Sequence, residues 1–154
     1  MTYNKNKVKA KFLFIFLVVL LSNRAFCQMA SFKDIEIKSV SASTTSIVSV
    51  SCDHFDSTFS SEAFKIKYIT DSATLESFRK ILQRLKFRRR EPEIDVRSKF
   101  YFHFVDKSAT PLVVCASKFF DIVVNGKEIK KNKKGISEQK QLVYLLHKIK
   151  DGVN

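Results

Sequence analysis

The sequence predicts an α+β domain of two layers. A mostly antiparallel sheet of about six strands carries two amphipathic helices packed on one face. Three observations lead to this class. Several short stretches alternate apolar and polar residues with period two. Two longer stretches place apolar residues at three- and four-residue spacing. The links between them are short. A β-sandwich with peripheral helices is the alternative arrangement of the same elements.

Residues 1–27 read as a secretory signal peptide, and residues 28–154 as a single α+β domain. Lys5, Lys7, Lys9 and Lys11 precede the apolar run FLFIFLVVLL, Phe12 to Leu21, and the polar Ser22-Asn23-Arg24 follows it. A basic start, a short apolar stretch and a polar end make an export signal. The run is ten residues long, and a membrane-spanning helix needs about 20. Cleavage after Cys27 puts Ala25 and Cys27 at the two positions that require small side chains, and leaves Gln28 first. Lipidation of Cys27 is the minor alternative, because bulky Phe26 stands where a lipid-anchor signal needs a small residue. Export places the domain in the periplasm or outside the cell.

The full chain carries a net charge of +13. Five basic residues and no acid lie in the leader, so the domain itself carries +8. That charge favours an anionic partner, such as a glycan or envelope component, or an acidic protein face. Nucleic acid is not expected of an exported protein. Membrane contact is expected only during export, or if Cys27 is lipidated. Two cysteines remain after cleavage, Cys52 and Cys115. An even count in an oxidising compartment points to a disulfide. Two buried free thiols are the other reading.

The elements follow in order. DIEIKSV sets Ile35 and Ile37 against Glu36 and Lys38. SIVSVSC sets Val48, Val50 and Cys52 against Ser49 and Ser51. A polar loop from Asp53 to Glu62 leads to AFKIKYIT, with Phe64, Ile66 and Tyr68 against Lys65 and Lys67. Each is a strand with one buried face. Asp71 or Ser72 then caps a helix with a stripe of Leu75, Phe78, Leu82 and Leu85, widened by Ile81. Arg84, Lys86, Arg88, Arg89 and Arg90 suit the negative end of its dipole, and Pro92 stops it by about Glu91. In RSKFYFHFVD, Phe100, Phe102 and Phe104 face one way, and Lys99, Tyr101, His103 and Val105 the other. After the turn SATP come LVVCAS and FFDIVVNGKEIK, in which Asn125-Gly126 predicts a tight hairpin between Ile122–Val124 and Lys127–Ile129. KKNKKG is a solvated loop. The last helix starts near Ser137, puts Leu142, Leu145, Leu146 and Ile149 on one face, and ends at Asp151-Gly152.

Catalytic chemistry finds little support. CDHFD, residues 52–56, is the densest polar cluster, and Asp53, His54 and Asp56 are ligand types for zinc. No second His/Cys pair stands at a matching spacing, and aspartates in such a turn ordinarily bond their own backbone. Cys115 with His103 or His54 would be a nucleophile pair, yet Cys115 lies inside an apolar strand. The three glycines, Gly126, Gly135 and Gly152, form no phosphate-binding loop. No catalytic, metal-ligating or cofactor-binding set emerges. Lys65, Lys67, Lys99, Tyr101 and His103 all point away from the predicted core, and would form a basic-aromatic surface for an anionic partner if their strands are neighbours. A small exported, non-catalytic binding protein is the leading expectation. An inhibitor presenting Asp53–Glu62 to an exported hydrolase, and a metal protein or enzyme centred on Cys52–Asp56, are the alternatives.

Overall fold

The computed structural model describes residues 30–41, 49–88, 93–119, 121–130 and 133–152. The predicted export signal and the Cys27-Gln28 junction lie outside the described residues, as do residues 46–48 of the predicted second strand. The elements are β1 (Phe32–Val40), α1 (Phe55–Thr58), β2 (Phe64–Ile69), α2 (Ser72–Leu82), β3 (Phe87–Arg88), β4 (Val96–Phe104), β5 (Leu112–Ser117), β6 (Ile122–Val124), β7 (Lys127–Ile129) and α3 (Lys133–Asp151). A 3-10 turn over Ser61–Ala63 joins α1 to β2. The seven strands form one sheet in the order β2-β1-β4-β5-β6-β7-β3. Every pairing is antiparallel.

Period two fixes which side chains meet. The β1–β4 register sets Ile35 beside Phe102 and Ile37 beside Phe100. Leu112, Val114 and Ala116 of β5 continue this face, and Ile122, Val124 and Ile129 extend it. Helices α2 and α3 cover it with Leu75, Phe78, Ile81, Leu82, Leu142, Leu146 and Ile149, all buried. Phe78 meets Phe102 edge-on, with ring centroids 5.3 Å apart. These are the stripes read from the sequence, and they make the two-layer α+β architecture.

The turn chemistry also follows the sequence. Asn125 and Gly126 adopt φ of 46° and 71° and close the β6–β7 hairpin. The Asp71 carboxylate accepts the Thr74 N–H at 2.8 Å and caps α2. Gly152, at φ 74°, ends α3, and its N–H donates to the Lys148 carbonyl.

Four expectations need correction. Residues 49–51 form no strand. Val50 is still buried, but its N–H donates to the Asp95 carboxylate (3.1 Å) and its carbonyl accepts from the Val96 N–H (2.8 Å). The segment crosses over the sheet instead of joining it, because Cys52 is tied to Cys115 on the sheet's outer face. The polar loop 53–62 contains the helical turn α1, whose Phe55 is wholly buried. Helix α2 ends at Leu82, well short of Glu91. Its last turn tightens through Arg84 N–H to Ile81 and Leu85 N–H to Leu82, and Phe87 and Arg88 then pair with Ile129 and Glu128. Residues 89–92 lie outside the described residues. Finally, α3 begins at Lys133, taking in the end of the predicted KKNKKG loop.

Candidate functional site

The helices cover one face of the sheet and leave the other to the side chains of the strands and of α1. Two rows of side chains cross that outer face. One runs Tyr68–Glu36–Tyr101–Val113 through β2, β1, β4 and β5. The next runs Ile66–Lys38–Lys99–Cys115. A third pairing sets Asp34 beside His103.

The second row lies beneath the segment that carries α1. Cys52 and Cys115 form a disulfide that pins this segment to β5. Phe55, Phe59 and Phe64 stack beside it, with Phe55 5.6 Å from Phe59 and 5.3 Å from Phe64. Val40, Val50, Phe55, Val96 and Cys115 make a small second core there. Lys38 and Lys99 are directly opposed on neighbouring strands, a repulsive pair in isolation. Asp56 of α1 resolves it. Its Oδ1 accepts from Lys38 Nζ at 3.1 Å. Its Oδ2 accepts from Lys99 Nζ at 2.7 Å and from the Tyr101 hydroxyl at 2.5 Å. Lys99 Nζ also donates to the Cys52 carbonyl at 3.0 Å, so the ammonium of a lysine only 8% exposed has two acceptors. Burial alone would raise the Asp56 carboxyl. The hydrogen bonds from Lys99, Tyr101 and Lys38, with the Lys99 charge, outweigh it and hold the group at about 2. Tyr101 moves well above the usual phenol value, first by burial, then by its bond to Asp56 and by the charges of Asp56 and Glu36.

The β2 end of both rows is open to solvent: Tyr68 of the first and Ile66 of the second are 61% and 52% exposed on the same face of the strand, while Glu36, Tyr101 and Val113 are half-buried. His103 Nε2 lies 3.6 Å from Glu36 and 3.9 Å from Asp34, and the ring stacks on Tyr101.

The predicted anionic-partner set is therefore split. Lys99, Tyr101 and His103 share the outer face, but Lys99 is buried and neutralised by Asp56. Lys65 and Lys67 lie on the helix side of β2, since Lys67 pairs with core-facing Ile37. Lys67 Nζ donates to the Ile149 carbonyl at the end of α3, at 2.7 Å. The CDHFD residues are dispersed as well. Cys52 is in the disulfide, His54 Nδ1 meets Ser51 Oγ at 2.9 Å in a local turn, Phe55 is core, and Asp56 points inward. Among the described residues no three His, Cys, Asp or Glu side chains are grouped to hold a metal ion. Cys115 is fully buried and disulfide-bonded, so it supplies no thiolate.

Sequence reasoning missed the role of Asp56 as a clamp, and the exposure of Ile66 and Tyr68. The opposed Lys38 and Lys99 were the available signal for the clamp, once β1 and β4 are paired. No helix among the described residues is long and apolar enough to cross a membrane. Comparison with protein-family models, with curated proteins and with solved structures finds no match to this chain.

Proposed function

We propose that this chain is a small exported, non-catalytic binding protein that recognises a protein partner through the outer face of β2, β1 and β4. The exposed pair Ile66 and Tyr68 carries the reading. Two large apolar side chains sit next to one another, rimmed by Glu36, Lys38 and Tyr101, on a sheet that a disulfide and the Asp56 clamp hold rigid. Apolar patches with polar rims are where proteins meet proteins, and a rigid platform loses little entropy on binding. The acids Asp34 and Glu36 on this face favour a mixed protein surface over a polyanion. The leader and the disulfide together support an oxidising compartment.

A photo-crosslinking residue placed at position 68 of the full chain, in its native host, tests the surface. A discrete adduct from position 68, absent from position 144, supports it. Tyr144 is equally exposed on α3 and serves as the control. No adduct at 68, or the same adducts at both positions, removes this face as the binding site.

The inhibitor reading keeps one specific observation in its favour. The segment Cys52–Glu62 is stapled at Cys52 and clamped at Asp56, while Asp53, His54, Ser57 and Thr58 remain exposed. Protection of a substrate from the host's exported hydrolases on adding the protein would support that reading. Unchanged hydrolysis would remove it.

A further inference from the structure

One end of the sheet is unusually regular. Among the described residues, strand β2 pairs only with β1, and no other strand lies along its second edge. Its register with β1 runs unbroken over six pairs, from Ile35–Ile69 to Val40–Phe64, with no bulge and no proline. The opposite end of the sheet is the two-residue β3, which is too short to serve as a template. A long regular edge offers backbone groups to another extended chain. The two faces of this edge differ. Ile66 and Tyr68 project to the outer side, and Lys65 and Lys67 to the helix side. Behind Lys67 lies a cleft of about 500 Å³, with Ile69, Leu145 and Ile149 as apolar wall and Lys67 and Lys148 as cations. Asp71 also lines it, but its carboxylate is committed to capping α2.

We propose that the free edge of β2 is a strand-addition site for an extended acidic segment of a partner protein, with apolar side chains over Ile66 and Tyr68 and carboxylates toward Lys65 and the Lys67–Lys148 cleft. The inference rests on the reading of the chain as a protein-binding module and names how the partner is held. Main-chain pairing supplies affinity in this mode, and pockets for alternate side chains supply specificity. Charge decides the occupant. A second copy pairing across a two-fold axis would bring its own Lys65 and Lys67 against these two, on the same face. Edge lysines oppose such self-pairing, whereas an acidic strand answers them.

The probe is a synthetic peptide of about eight residues that alternates Glu with Val and Tyr. It is titrated against the folded chain while amide hydrogen exchange is followed at Phe64–Ile69. A Lys-for-Glu peptide and a copy N-methylated at alternate amides are the controls, the latter made in both registers. The acidic peptide slows exchange along β2, binds at least about tenfold more tightly than the Lys peptide, and loses binding in one N-methylated register. Lys65→Glu reverses the charge preference. Lys65 makes the cleaner variant, because Lys67 also caps α3. Unchanged exchange at Phe64–Ile69, indifference to peptide charge, or dimerisation of the chain through β2 overturns the proposal. A crosslink at position 68 without β2 protection would overturn strand addition alone and leave the outer-face reading standing.

Discussion

At the scale of single residues, Asp56 joins the most groups. Its carboxylate meets two lysines and a phenol, and one of the lysines is buried. Removing it leaves the buried Lys99 ammonium with the Cys52 carbonyl but no counter-charge, whereas removing Lys99 leaves a carboxylate that still accepts from Lys38 and Tyr101. Asp56→Ala should therefore cost about 2–3 kcal/mol in urea unfolding, and Lys99→Met about 1 kcal/mol or less. Equal losses would mean that the pair does not hold α1 in place. The same group sets a pH dependence. Its folded value, about 2, lies below the ordinary 3.8, so its stabilisation is complete above pH 4 and is lost as pH falls from about 4 toward 2. The full difference corresponds to roughly 2 kcal/mol, and solvent screening of a side chain 36% exposed reduces it to about 1 kcal/mol. An acid titration of Asp56→Asn should lack that component. The sequence placed Asp56 in a conspicuous cluster and put Lys99 and Tyr101 on the correct face. It did not reveal their meeting, because Asp56 and Lys99 lie 43 residues apart in the chain.

At the scale of elements, structure set by local chemistry is legible in the sequence, and structure set by tertiary choices is not. Strands β4, β5, β6 and β7 follow the alternation and the Asn125-Gly126 turn, which depend on neighbours in sequence. The facing of β2 does not. Its apolar row looks inward in isolation, yet at the sheet edge Lys65 and Lys67 take the helix side, and Lys67 reaches the α3 terminus. Only Phe64 of the apolar row gains cover, from Phe55 and Phe59. Strand β3 was equally hidden, since its partner β7 is remote and its sequence continues a helical pattern. These facings predict opposite sensitivities. Phe78→Ala, in the helix-face core, should cost about 3–5 kcal/mol. Ile66→Thr and Tyr68→Ser should each change stability by about 0.5 kcal/mol or less. A large loss from Tyr68→Ser in thermal or urea unfolding would place that ring in the core and refute the facing of β2.

At the scale of the whole molecule, one sheet supports two unequal hydrophobic clusters. The helix-face cluster draws on α2, α3 and nearly every strand. The outer cluster is built on Val40, Val50, Phe55, Val96 and Cys115, and a disulfide spanning 63 residues of chain runs through it. A cross-link over that separation stabilises by about 4 kcal/mol, chiefly by restricting the unfolded chain. Its loss should fall unevenly on the fold. The helix-face core contains no cysteine, so its packing does not depend on the bond. The segment 49–62 is held by the bond, by Phe55 and by the Asp56 clamp, a small share of the total burial. Cys52→Ser with Cys115→Ser should therefore lower global stability by up to about 4 kcal/mol and speed amide exchange most around Val50–Thr58. Exchange in α2, α3 and β4 should rise only as far as the global loss requires. Uniform acceleration across sheet and helices would instead show that the two clusters open as one unit. In that case the outer cap would be integral to folding, and the platform that presents Ile66 and Tyr68 would exist only in an oxidising compartment.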